Sequence, residues 1–188
     1  MAAFFFYIPS ALVLIVGISS LIYDSWKKDT QFKKYDGIMP MLEGVDLRGK
    51  VLDVGIGTGL FEEYLRARGI KLDVTGIDPD PIMLEKALAR GYRAVTGAAE
   101  SLPFGDSAFD FVLCLDTIHV TDATKAVAEM KRVLKPGGAM LVAAFCNTFT
   151  KQSTMSDLES LLAGMEVVSK GFVGRSDDEM SAVLVCRK

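Results

Sequence analysis

The sequence predicts an α/β fold: a doubly wound sandwich in which helices cover both faces of a mostly parallel sheet. Two observations carry this prediction. From residue 48 onward, short apolar runs alternate with segments of helical periodicity, and glycine or proline turns separate them. Most of the runs are apolar at successive positions, which is typical of strands buried on both faces. Repeated strand–helix units favour parallel pairing, and 188 residues suffice for one sizeable core.

The strand candidates follow one another at regular intervals. The apolar runs that predict buried parallel strands, with a weaker candidate third in order, are Lys50–Val54, Leu72–Ile77, Arg93–Thr96, Phe109–Leu115 and Ala139–Phe145. Two further strands are predicted near Glu166–Val173 and Met180–Cys186. Because only a short polar stretch separates these two, we expect them to pair antiparallel at the end of the sheet.

The helices between these strands carry start and stop signals. Asp80 can cap the second helix, whose first turn holds Pro81, and Asp122 can cap the third. The predicted stops are Gly69, Gly91 and the "KPGG" turn at residues 135–138. A last helix is expected around Thr154–Leu162.

The beginning of the chain has a different composition. Residues 2–23 contain no charged side chain, and as a helix they would measure about 33 Å, enough to cross a hydrocarbon core. Lysines follow at positions 27, 28, 33 and 34. This basic flank predicts a single-pass membrane protein whose C-terminal domain is cytoplasmic. The predicted division is therefore a hydrophobic helix with its flank at 1–30 and a globular domain at 31–188.

Other interpretations of residues 2–23 stay open. The stretch could be a helix buried in the globular domain or in an oligomer, and the protein would then be cytoplasmic. A cleaved signal peptide would have a basic start and a small-residue cleavage site, and neither is clear here. An interfacial helix would have a polar face, which this stretch lacks.

Charge and cysteine content exclude several classes of function. The formal net charge is -3, so electrostatics give no reason to expect a nucleic acid as partner. Cys114, Cys146, Cys186 and the single histidine, His119, lack the spacing of metal ligands. We therefore expect no metal site, and we expect the cysteines to be buried free thiols.

A glycine-rich loop follows the first strand. In "DVGIGTG" the glycines fall at positions 55, 57 and 59, whereas the dinucleotide pattern G-x-G-x-x-G would place its third glycine at Leu60. The loop alone could be a mere tight turn. Asp53 precedes it, however, and a carboxylate there would repel phosphate but suit a cationic amino group. The pattern thus favours a ligand that has no phosphate to bind.

A second acidic position sharpens this hypothesis. Asp78 ends the second predicted strand, about twenty residues beyond the loop, where a carboxylate can accept hydrogen bonds from the two ribose hydroxyls of a nucleoside. The alternative role, helix capping, fits Asp80 better than Asp78. The predicted ligand therefore has a ribose and a cationic group.

Five motifs occur together in one order: "VLDVGIGTG", "VTGIDPDPIMLEKA", "GAAESLPFGDSAFD", "FDFVLCLDTIHV" and "MKRVLKPGGAMLV". In these, residues 48–145 resemble class I S-adenosylmethionine-dependent methyltransferases, and most closely the group that methylates quinones, lipids and small molecules. The resemblance implies a Rossmann-like fold and S-adenosyl-L-methionine as cofactor. The cofactor-binding residues that it implies are Asp53, Gly55, Ile56, Gly57, Gly59, Asp78, Pro79, Ala98, Ala99, Glu100, Cys114 and Leu115.

The chain departs from the family pattern at two places. Ala98 stands where members often have an aspartate that bonds the adenine amino group, and Glu100 or a backbone group could substitute. Where many members have two histidines after the fourth strand, this chain has His119 followed by Val120. His119 and Asp116 are the candidate catalytic residues, each with a structural role as its alternative.

The resemblance implies an enzyme that transfers a methyl group to a lipid, quinone or other hydrophobic acceptor, and the uncharged stretch at residues 2–23 predicts that this enzyme is anchored to a membrane. The alternatives are a soluble methyltransferase acting on a small molecule and a non-catalytic binding or scaffolding protein. Relatives usually carry a lid between the fifth strand and the next helix, but only residues 146–153 lie there. The site is therefore expected to lack a lid unless residues 26–47 fold over it.

The lack of metal-ligand spacing leads to a direct test. We expect methyl transfer to continue undiminished in EDTA, because an in-line displacement on a sulfonium-bound carbon needs alignment rather than a Lewis acid. Turnover of the cofactor with and without chelator measures this. Turnover that EDTA abolishes and a divalent metal restores would contradict it.

Overall fold

A computed structural model describes residues 28–176 and 179–188 of the chain. Within these residues a seven-stranded sheet has the order β3-β2-β1-β4-β5-β7-β6. The strands are β1 Lys50–Val54, β2 Asp73–Asp78, β3 Arg93–Thr96, β4 Phe109–Leu115, β5 Leu134–Cys146, β6 Glu166–Ser176 and β7 Glu179–Arg187.

Helices connect the strands and lie on both faces of the sheet. Residues 28–38 are helical and are labelled α1. The other helices are α2 Leu60–Ala67, α3 Pro81–Ala89, α4 Ala123–Val133 and α5 Lys151–Leu161, with short 3-10 helices at Met39–Leu42 and Ile118–Val120.

The strand pairing confirms the predicted α/β fold class. Strands β1 to β5 pair in parallel, and β7 pairs antiparallel with both β5 and β6. The predicted caps are also confirmed, since the Asp80 side chain accepts a hydrogen bond from the Ile82 amide and the Asp122 side chain from the Lys125 amide. These contacts fix where α3 and α4 begin.

One boundary differs clearly from the prediction. Strand β5 begins at Leu134 rather than Ala139, so the predicted "KPGG" turn lies inside it. Leu134 pairs with Phe109 and Ala139 with Phe111, so the register shifts across the turn. Gly137 has a φ of 76°, a left-handed conformation that glycine adopts without steric cost. The turn therefore interrupts the strand instead of ending the helix.

Successive residues of the central strands point into two separate cores. Val112 and Val142 pack on one face with α4 and α5, while Phe111 and Leu141 pack on the other with α1, α2 and α3. The alternation follows from the two-residue repeat of a strand, and both halves are apolar because helices cover both faces.

Helix α1 packs on the second face and covers α2. The Tyr35 ring lies 5.0 Å from the Phe61 ring and 5.3 Å from the Tyr64 ring, both edge-on, and Ile38 is fully buried. Lys34 is also buried, and its ammonium is paired with Asp116 within the fold. Because α1 crosses the predicted boundary at residue 30, we propose that the globular domain includes residues 28–30.

The predicted hydrophobic helix at residues 2–23 lies outside the described residues. Among residues 28–176 and 179–188, no helix is both long and apolar enough to cross a membrane.

The packing of α1 predicts how far the chain can be shortened. Deleting residues 1–25 should leave a folded domain, because the packed residues 28–38 are retained. Deleting residues 1–38 should be strongly destabilising, since burial of a side chain such as Ile38 contributes about 1.5–3 kcal/mol. Thermal unfolding of both proteins, followed by circular dichroism, measures the difference. If the shorter deletion fails to fold, residues 1–25 belong to the core.

Candidate active site

The glycine loop lies between β1 and α2 and touches the segment that follows β4. Gly55 has a φ of 84°, and a Cβ atom there would lie 2.1 Å from the Thr117 Oγ1 atom. Both the backbone conformation and the close approach therefore require glycine. Gly57 has a φ of 55° with open space beside it, and Gly59 precedes α2 at a φ of 76°. The loop thus leaves its backbone accessible to a ligand.

A cavity of about 180 Å³ opens above this loop. Its walls come from α1 through Gln31, Lys34 and Tyr35, from loop residues 55–58, and from residues 115–117 after β4. The loop and residues 115–117 follow the carboxyl ends of β1 and β4, which is where open α/β sheets bind ligands. Helix α1 therefore covers the mouth that the short β5–α5 connection leaves open, as the alternative for residues 26–47 predicted.

Asp53 lines the cavity with a polar atom that lacks a partner. Its side chain is 3% exposed, and its Oδ1 atom has no hydrogen-bond partner among the described residues. Burial raises the pKa of Asp53 well above its usual range, and the nearby carboxyl of Glu62 adds to the increase. An unpartnered buried acceptor is costly, and a cationic donor in the cavity would satisfy it. This fits the amino group of the cofactor that the resemblance implies.

Glu62 on α2 is a second buried carboxyl. It is 4% exposed, and neither of its carboxyl oxygens has a hydrogen-bond partner in the part of the chain that the structure describes. Burial raises the pKa of Glu62 as well. Two neighbouring carboxyls in a dry environment cannot both ionise cheaply, so the charge of this pair depends on pH.

Asp78 joins the loop to the turn after β2. Its Oδ2 atom accepts a hydrogen bond of 2.9 Å from the Gly57 amide, and its Oδ1 atom accepts one of 2.9 Å from the Asp80 amide. Each oxygen keeps a further lone pair, so the ribose role stays a prediction. Ile56 also ties the loop to β2, because its side chain fills the space beside Gly76, where a Cβ would lie 2.3 Å from the Ile56 Cδ1 atom.

Asp116, the residue after β4, is held by three elements of the fold. One carboxyl oxygen pairs with the Lys34 ammonium from α1, and the other accepts a hydrogen bond of 2.8 Å from the Ser181 hydroxyl of β7. The Asp116 amide donates to the Ala143 carbonyl over 2.8 Å. Its φ of 54° is rare for a residue other than glycine, and such strain persists where the surroundings fix it.

The structure separates the two catalytic candidates. Asp116 lines the cavity, whereas His119 is exposed in the 3-10 helix beyond it and does not line the cavity. Leu115 also lines the cavity. The Cys114 side chain lies in the opposite core, where burial raises the pKa of its thiol, so only its backbone can reach a ligand.

The residues predicted to contact the adenine ring differ in their exposure. Ala98 and Pro79 are exposed, while the Ala99 side chain is buried in the core. Glu100 accepts a hydrogen bond of 2.8 Å from the Asp122 amide, so one of its oxygens supports the segment before α4. An adenine contact from Glu100 would have to use the remaining acceptor capacity, and it stays a prediction.

Sequence reasoning missed several residues that the fold brings to the cavity. Gln31, Lys34 and Tyr35 recur at helical spacing on one face of α1, but their proximity to lysine-rich residues made this face look like a membrane flank. Glu62 was missed because it looks like an ordinary helix-surface carboxylate. Its position beside the apolar Phe61 and Leu65 was the available signal.

Within the described ranges, no group of three or more histidine, cysteine, aspartate or glutamate side chains is arranged to hold a metal ion. Cys114, Cys146 and Cys186 are buried free thiols, as predicted.

Comparison with known proteins shows what the chain is similar to. Residues 52–142 match the family described as methyltransferase domain. An uncharacterized methyltransferase of Mycobacterium bovis is 41% identical over 48% of this chain. The ubiquinone biosynthesis O-methyltransferase of Pseudomonas aeruginosa is 32% identical over 68% of this chain. The chain spans only 37% and 60% of the lengths of these two relatives.

Solved structures show the same fold. An S-adenosylmethionine-dependent methyltransferase of Thermotoga maritima superposes with a TM-score of 0.66 at 24% identity, over 92% of this chain and 99% of that protein. At this identity the likeness shows the fold alone.

The buried carboxyl pair predicts an unusual dependence of stability on pH. The folded-state pKa values of Asp53 and Glu62 are raised, so their contribution to stability is fully present below the unfolded-state values near 4 and is lost as the pH rises through the folded-state values. Glu62→Gln should therefore raise the free energy of unfolding at pH 8, by about 1–2 kcal/mol, and less at pH 5.

Urea unfolding at both pH values measures this difference. Glu85→Gln, at an exposed position of α3, removes a similar carboxyl and should have little effect. Equal effects of Glu62→Gln at the two pH values would show that ionisation of the Glu62 carboxyl does not lower the free energy of unfolding.

Proposed function

Residues 52–142 belong to the methyltransferase domain family, and on that premise we propose that the chain is an S-adenosylmethionine-dependent methyltransferase acting on a small-molecule acceptor. The observation that carries the proposal is Asp53, whose unpartnered buried oxygen lines the cavity above the glycine loop. The open approach at Gly57 and the position of Asp78 beside it support the same cofactor.

The donor set fits this cofactor. Asp53 would accept a hydrogen bond from its amino group, and Asp78 would accept from its ribose hydroxyls. The loop has Leu60 where a pyrophosphate-binding loop has its third glycine, which disfavours a dinucleotide. When bound, the cofactor supplies a sulfonium-bound methyl group that is already activated for displacement.

The chain's own residues then have three tasks. The glycine loop and Asp53 orient the donor, and α1 excludes water by covering the cavity through Gln31 and Tyr35. Asp116 lines the cavity and is the candidate base, which would accept the proton that a hydroxyl or amine acceptor loses. His119 stands further out and would need an acceptor that extends to the rim.

The names of the relatives suggest acceptor classes without fixing one. The Pseudomonas aeruginosa relative is named for O-methylation in ubiquinone biosynthesis, so an oxygen nucleophile on a small ring compound is a reasonable first choice. A non-catalytic role remains the alternative outside the enzyme class, and turnover decides between them.

A hydrophobic acceptor reached from a membrane is the second candidate. Three apolar side chains are exposed at the carboxyl ends of β4 and β5: Val120 at 75%, Phe145 at 44% and Phe149 at 92%. These side chains lie at the end of the sheet where an acceptor would enter, and residues 2–23 precede the helix that covers that end. A quinone or lipid would find apolar surface there.

Cofactor binding is the first test. Calorimetry should show binding of S-adenosylmethionine and its demethylated product, and none of NAD. Asp53→Asn should weaken binding of the methyl donor by about 1.5–3 kcal/mol, the usual contribution of a charge-assisted hydrogen bond. Asp157→Asn, on the exposed side of α5, is the matched control and should bind as the wild type does. Tight NAD binding without binding of the methyl donor would reject the proposal.

Turnover distinguishes an enzyme from a scaffold and one acceptor class from the other. Incubation with the methyl donor and separated soluble and membrane extracts should add one methylene unit to the mass of an extract component. If the acceptor is dissolved in the membrane, deletion of residues 1–25 should reduce turnover on the membrane fraction. The same deletion should change turnover on a short-chain soluble analogue only slightly. Donor binding with no methylated component in any fraction would favour the scaffold.

A further inference from the structure

An ion pair forms part of the wall of the cavity above the glycine loop. The Lys34 side chain is only 2% exposed and contacts the Asp116 carboxylate, whose side chain is 19% exposed. Both residues line the cavity. The pair therefore borders the space that a ligand would occupy.

The fold maintains this pair at some cost. A buried ammonium is expensive unless an anion and good hydrogen bonds accompany it, and a buried pair seldom adds net stability. Asp116 also keeps a left-handed backbone, with a φ of 54°. The Ser181 hydroxyl fixes the second oxygen of Asp116 from β7, so the side chain is held on two sides. Residues held in sparsely populated backbone conformations cluster at functional sites, which makes this pair a candidate for a role in the site.

The pair adjoins the glycine loop. Thr117 follows Asp116, and its side chain fills the space where a Cβ of Gly55 would lie. Because Lys34 and Asp116 line the same cavity as the loop, their charges lie beside the space above the loop that a ligand would occupy.

We propose that Lys34 and Asp116 set how strongly the cavity distinguishes the methyl donor from its demethylated product. The inference rests on the proposed function. Donor and product differ by one methyl group and by the positive charge of the sulfonium. Asp116 attracts that charge, and Lys34 opposes it, so the two residues act on the donor-to-product affinity ratio in opposite directions.

The pairing of the Asp116 carboxylate with Lys34 can be understood from the charge change during methyl transfer. Methyl transfer removes the positive charge from sulfur, so a bare carboxylate would stabilise the bound donor more than the transition state. Interactions that favour the ground state in this way slow the chemical step. Lys34 offsets the Asp116 charge and leaves it oriented, which makes Lys34 a specificity-determining residue of the site.

Calorimetry on the full-length chain tests this without an acceptor. The ligands are S-adenosylmethionine and S-adenosylhomocysteine, and every variant is measured at the same pH. Asp116→Asn should lower the ratio of donor affinity to product affinity by about five- to ten-fold. Lys34→Met should raise the ratio by a similar factor, and Lys34→Arg should restore the wild-type value.

Two controls separate charge from structure. Lys33→Met removes the same charge from an exposed position next to Lys34 on α1 and should leave the ratio unchanged. Ser181→Ala removes a hydrogen bond to Asp116 without altering the charge and should also leave the ratio near the wild-type value. Because both ligands bind the same folded fraction, partial unfolding of a variant cancels in the ratio.

The outcomes are distinguishable. If the wild type binds neither ligand, the proposed function fails. If it binds both, and Asp116→Asn and Lys34→Met leave the ratio unchanged or move it in the same direction, the inference is overturned and the proposed function stands. Opposite shifts that Lys34→Arg reverses support the inference.

Discussion

The adjacency of β1 and β4 is the constraint on which the site depends. Parallel neighbours end at the same edge of a sheet, so the loop after β1 and the segment after β4 must share one space. Gly55 makes this sharing sterically feasible, because only a residue without a side chain fits against Thr117. The cavity is what remains between these two segments once α1 closes the third side.

Most strands and helices could be predicted because hydrophobic periodicity and capping residues within each segment are sufficient to determine them. The strand at Phe109–Leu115 is apolar on both faces, and Asp80 and Asp122 carry capping chemistry in their immediate neighbourhood. The start of β5 was missed because the "KPGG" turn is a stop signal in sequence, whereas in the sheet it is an interruption that pairing with Phe109 bridges. Tertiary pairing outweighed the local signal there.

The site residues could be predicted only where they lie close together in the sequence. Asp53, Gly55 and Gly57 lie in one stretch of sequence, and all three line the cavity. Lys34 could not be recognised in this way, because its role depends on Asp116, and the two are 82 positions apart. A lysine beside an uncharged stretch has a simple local explanation, and only the packing of α1 shows that its side chain turns inward.

The separation of Lys34 from its partners also has a consequence for biosynthesis. During translation, α1 is made long before Asp116 and Ser181, so the Lys34–Asp116 pair cannot form until the segment after β4 is made, and the Ser181 contact cannot form until β7 follows. Contacts between such distant positions are slow to form, because a large loop must close before they contribute. The wall that Lys34, Asp116 and Ser181 form together can therefore be completed only after the last strand of the sheet has been synthesised.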